Sequence, residues 1–128
     1  MQTLDTQIKI HICGTPAQRS RLVNLLARIT TAGNTHEVSG YWQGISETDT
    51  VLTHWLDGDA DNARLVNRLV RALRAYQTYA DQTAILVEVN SHRTTFALVI
   101  EAGDWADATE ALQFHLNYTE QLLRYFHS

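Results

Sequence analysis

Gln7-Ile8-Lys9-Ile10-His11-Ile12-Cys13, continued by Gly14-Thr15-Pro16-Ala17-Gln18, decides how the rest of the chain is read. The first seven residues alternate, with Ile8, Ile10 and Ile12 on one face and Lys9 and His11 on the other. A period of two marks a half-buried strand. Gly14 breaks it. Thr15 then offers a hydroxyl to cap a helix, Pro16 fits the first helical position where its missing N–H is not needed, and Gln18 closes a capping box. Leu22, Leu25, Leu26 and Ile29 follow at helical spacing, and Gly33 is expected to stop the helix.

Downstream, residues 36–42 and 50–56 are rich in β-branched and aromatic side chains and read as two strands. Residues 43–49, polar and holding Gly44, read as the loop of a hairpin. Asp57-Gly58-Asp59 ends the second of these strands, and a helix over about 60–79 is expected to bury Leu65, Val66, Leu69, Val70 and Leu73. Residues 83–89 and 94–100 form two more strands around a turn at 90–93, and Gly103-Asp104 opens a helix running nearly to the end of the sequence. The order β-α-β-β-α-β-β-α implies one α+β domain over 1–128. It is a ferredoxin-like βαββαβ antiparallel sheet with an added fifth strand and a long C-terminal helix. The segment Gly40-Tyr41-Trp42-Gln43-Gly44 resembles stretches of small bacterial and phage proteins, a resemblance that implies no activity.

Length and composition narrow the classes of function. A chain of 128 residues suits one core rather than two. A formal net charge of -4 argues against a general nucleic-acid binder, and a single cysteine, Cys13, excludes an internal disulfide and is expected to exclude any cysteine-based zinc site. No apolar run approaches the ~20 residues that cross a bilayer, and the N-terminal residues lack a secretory signal pattern, so a cytoplasmic protein with no membrane partner is expected.

The candidate sites are few. Asp57, Asp59 and Asp61 match the opening spacing of a calcium loop, but Asn62 and Arg68 stand where that loop needs glycine and glutamate, so helix capping is the better reading. Arg64, Arg68, Arg71 and Arg74 form a stripe on the second helix suited to phosphates or an acidic partner, the alternative being a solvated helix back. His11 and His54 lie on strands that neighbour each other in this topology. If His54 turned to the open sheet face it would meet His11 and Glu88, a set fit for a metal or for acid–base chemistry. Cys13, at a strand end before a helix, is read as a small packing residue. Tyr41 and Trp55 in the hairpin, with Tyr118 and Tyr125 in the last helix, offer an aromatic surface for a ligand or a second copy.

No nucleotide loop or nucleophile elbow is present. The expected function is therefore non-enzymatic: a protein-binding module without cofactor or metal. It would be dimeric through the open sheet face or the C-terminal helix, with a phage- or mobile-element-encoded inhibitor of a host defence complex as one concrete form. The alternatives are a small-molecule sensor with its ligand near Tyr41, Trp55 and Tyr118, and a small enzyme using His11, His54 and Glu88.

Overall fold

The computed structural model describes residues 3–30, 32–91 and 95–116. Strand β1 (Thr6–Ile12) leads into α1 (Pro16–Ala27), β2 (Ala32–Trp42), β3 (Ile45–Leu56), α2 (Ala63–Tyr79), β4 (Ala84–Asn90), β5 (Thr95–Glu101) and α3 (Trp105–Leu116). The five strands form one sheet in the order β2-β3-β1-β4-β5, every neighbouring pair antiparallel. The first four strands keep the ferredoxin-like arrangement, and β5 extends the sheet beyond β4.

β1 lies at the centre because Ile8, Ile10 and Ile12, each at most 1% exposed, must be covered on one side. Val87 and Val89 of β4 and Leu52 and Leu56 of β3 share that side. With Leu22 and Leu26 of α1, and Val66, Leu69 and Leu73 of α2, they make a single core. α1 starts as its sequence directs: Thr15 accepts from the Gln18 amide and Gln18 accepts from the Thr15 amide. Asp57 accepts from the Asp59 amide and Asp61 from the Ala63 amide in the turn ahead of α2, but the N-cap position is Asn62 and no side chain caps the helix, which starts at Ala63 rather than at residue 60; the expected acidic cap is not formed.

Other boundaries differ from expectation. α1 stops at Ala27, and Gly33 lies inside β2, paired with His54. A Cβ at Gly33 would stand 2.7 Å from the Thr53 carbonyl oxygen and 3.0 Å from His54 Nδ1, so this glycine serves close strand approach instead of helix termination. The β2–β3 connection is a two-residue turn, with Gln43 at φ 49° and Gly44 at φ 84°, where a seven-residue loop was expected. Two successive positive φ values match the twist of a tight hairpin, which lets pairing run down to Trp42↔Ile45.

α3 packs beside α2 and β5 on the helix-bearing side of the sheet. Trp105, Ala108, Leu112 and Leu116 are buried, the Trp105 indole donates to Gln77 Oε1 at 2.7 Å, and Asn62 donates to the Leu116 carbonyl at 2.7 Å. The described part of this helix therefore does not cover the open face of the sheet. Among the described residues no helix is long and apolar enough to cross a membrane.

Gly33→Ala is expected to destabilise the fold by about 1–3 kcal/mol, because the new methyl meets backbone that cannot retreat. Chemical denaturation of the two proteins checks this, and an unchanged midpoint would contradict the close approach.

Candidate functional site on the open sheet face

The alternation that buries the β1 isoleucines sends Lys9 and His11 to the opposite face, and Cys13, just past the strand, follows them. On β3 the same alternation brings Glu47, Asp49 and Val51 to that face, since Val51 pairs with His11 in the sheet register. Of these, His11, Cys13, Glu47 and Asp49 converge on a cavity of about 350 Å³, lined also by Tyr41, Leu86, Val99 and the 81–84 segment.

The floor of the cavity is acidic. Cys13 Sγ donates to Glu47 Oε1 at 3.6 Å, and ligand atoms of Cys13, Glu47 and Asp49 all lie within 4.8 Å of one another. Asp49 is 8% exposed, and its Oδ1 has no hydrogen-bond partner. Burial, followed by the hydrogen bond and the charge of Asp49, pushes the Cys13 thiol far above its ordinary range. Burial and then the Asp49 charge raise Glu47. Both shifts have one origin: negative groups crowded where water is scarce. Behind them the Tyr76 hydroxyl donates to the Cys13 carbonyl and fixes the loop. Burial raises that hydroxyl to about 12, which keeps it a donor at neutral pH.

Beside this floor His11 Nε2 and Glu88 Oε2 are 2.8 Å apart. The carboxylate accepts, so Nε2 carries the proton and, in the neutral ring, Nδ1 is the basic nitrogen. The expected meeting of His11 with Glu88 occurs. His54 does not join them. It pairs with Ile8 in the register, is 2% exposed on the helix side, and both its ring nitrogens lack partners. Leu52 and Leu56 share its face and must face the core, which decides its direction. His54 lines a separate cavity of about 360 Å³ with Val23, Ala27, Gly33 and Leu52, and burial lowers its pKa to about 4.

The remaining candidates scatter. Tyr41, 80% exposed, borders the open-face cavity, whereas Trp55, 37% exposed, sits at the far end of the hairpin opposite Ala32. Tyr41 and Trp55 therefore cannot share one ligand as the sensor reading required. Tyr118 and Tyr125 lie outside the described residues. Arg64, Arg68, Arg71 and Arg74 are all exposed along α2.

Glu47 and Asp49 were absent from the sequence-derived candidates because residues 43–49 read as loop. Once Gln43-Gly44 is recognised as the turn, Glu47-x-Asp49-x-Val51 becomes a strand face. A buried cation, Arg19, was also missed. Its guanidinium donates to Thr50 Oγ1 at 3.2 Å and lies 3.6 Å from Glu37 on the helix side.

No family model and no curated protein sequence matches the chain. Among solved structures, it is similar to an apo phage SAM lyase, with a TM-score of 0.59 and 9% identity over 80% of this chain and 95% of the other. It is likewise similar to a phage SAM lyase in complex with S-methyl-5'-thioadenosine, with a TM-score of 0.53 and 9% identity over 82% and 97% of the two chains. A looser likeness is to CutA from Synechococcus elongatus, with a TM-score of 0.39 and 13% identity over 85% and 93%. At such identities the two phage structures speak for the fold alone.

The His54 environment generates a pH dependence. The unfolded chain protonates this imidazole near 6.5, the folded chain near about 4, so between those values the unfolded state holds the extra proton. Stability then falls as pH drops through that window, by on the order of 3 kcal/mol for this group. His54→Leu should remove this part of the acid limb and raise stability at pH 4–5 relative to wild type. Urea denaturation of both proteins at pH 7.5 and pH 4.5 measures the difference, and parallel losses would contradict the assignment.

Proposed function

We propose that this chain binds a sulfonium nucleoside of the S-adenosylmethionine class on the open sheet face and cleaves a carbon–sulfur bond in it. The observation that carries this reading is the pair of carboxylates, Glu47 and Asp49, facing a cavity with one Asp49 oxygen left unpartnered. Buried anionic groups without a protein cation favour a cationic ligand, and a sulfonium is a compact fixed cation. The shared fold with phage SAM lyases supports the same ligand class.

In such a cleavage the electron pair of the broken C–S bond stays on sulfur, which leaves as a neutral thioether. The carbon fragment balances this by losing a proton from the adjacent carbon, whose C–H pair becomes the new C=C bond. His11 Nδ1 is the base for that proton, with the imidazole held by Glu88 at 2.8 Å.

Incubation of the purified chain with S-adenosylmethionine, followed by chromatography for a thioether nucleoside, tests the activity. Binding is measured separately by calorimetry. Asp49→Asn should weaken binding about tenfold or more, the scale for removing a desolvated charge partner. His11→Ala should reduce turnover by about a hundredfold or more while leaving binding nearly unchanged. No heat of binding and no product from the wild-type chain would overturn the reading.

A second reading, a protein-binding module of dimeric form, is supported by the exposed arginine stripe Arg64, Arg68, Arg71 and Arg74 on α2. An acidic partner surface, such as that of a host defence complex targeted by a phage inhibitor, fits guanidinium groups so arrayed. Arg68→Glu with Arg71→Glu should then abolish capture of that partner with an unchanged melting temperature. Retained capture would make the stripe an ordinary solvated face.

A further inference from the structure

We propose that Cys13, Glu47 and Asp49 form a site for a thiophilic divalent cation of the zinc type. The sulfonium reading uses the carboxylates; a metal site also uses the thiol, and neither requires the other. A tetrahedral zinc about 2.3 Å from sulfur and about 2.0 Å from a carboxylate oxygen places those two atoms about 3.5 Å apart. Cys13 Sγ and Glu47 Oε1 are 3.6 Å apart, and Asp49 brings a carboxylate oxygen within 4.8 Å of both.

The second observation is Asp49 itself, more than nine-tenths buried, with an oxygen that nothing in the protein satisfies. An unpaired buried carboxylate oxygen is costly, and a cation on the floor of the cavity would satisfy it. Sulfur among the donors favours zinc over magnesium or calcium, which prefer all-oxygen sets. As the metal–sulfur bond forms, the Cys13 thiol proton passes to solvent. Three protein donors leave a fourth position open toward the cavity. Zinc and a sulfonium draw on the same carboxylates, so each should exclude the other.

The test uses the full chain, stripped with chelator and dialysed, with zinc or cobalt(II) alone as the probe. Native mass spectrometry should show one zinc per chain, and cobalt(II) should give the intense near-ultraviolet absorption of a thiolate–cobalt bond. Cys13→Ser should remove that absorption and weaken zinc binding by about tenfold or more, and Glu47→Gln and Asp49→Asn should weaken zinc similarly. Melting curves in chelator establish that each variant folds. Should Asp49→Asn fail to fold, the absorption of the wild-type chain and its loss in Cys13→Ser still decide the matter. Absence of retained zinc, cobalt binding without the thiolate absorption, or equal affinity in Cys13→Ser would each overturn the proposal. No sulfonium compound is present in these measurements, so their failure is distinguishable from failure of the sulfonium assays.

Discussion

The burial of Ile8, Ile10 and Ile12 against α1 and α2 governs the rest of the molecule. These side chains are almost fully excluded from water, and each contributes on the order of 1.5–3 kcal/mol relative to an exposed position. A one-residue slip of β1 would exchange them for Lys9 and His11, charging the core and exposing three isoleucines. The register with β3 and β4 is therefore held firmly. That register brings His11 to Glu88 and sends Cys13 toward the residues of β3.

The two faces of the sheet consequently carry different chemistry. On the helix side, His54 stands without a hydrogen-bond partner, Arg19 reaches Thr50 and Glu37, and Gln77 and Asn62 tie α2 to α3. On the open side, polar groups are clustered, with two carboxylates, a thiol and a histidine–carboxylate pair around one cavity. The deep burial of Asp49 distinguishes this cluster from an ordinary solvated acidic patch, because its carboxylate has given up water without gaining a protein cation.

The likeness to the phage lyases covers most of both chains while leaving only 9% of residues identical. Such preservation is what layer packing demands: an alternating apolar face on each strand and a matching stripe on each helix suffice for the architecture, and side chains on the open face vary without cost to it. Ligand class is therefore a property of the local residues rather than of the shared architecture.

Much of this architecture was legible in the sequence by itself. Strict alternation over residues 7–13, the Thr15–Gln18 capping box and the apolar stripe of α2 are local patterns whose physical meaning does not depend on distant residues. They determined the order of elements and the ferredoxin-like class. The pairing of His11 with Glu88 was also within reach, because both fall on the polar face of adjacent central strands. The direction of His54 was not, since β3 has apolar residues on both faces and only packing against α1 and α2 selects one. Gly33 could be read as a helix stop or as a place of close strand approach, and only the position of the Thr53 carbonyl separates the two. Glu47 and Asp49 were hidden for a related reason: a polar stretch near a glycine reads as loop until cross-strand hydrogen bonds extend the hairpin through it. Local pattern thus fixed which elements form, whereas contacts between residues far apart in the chain decided which side chains meet.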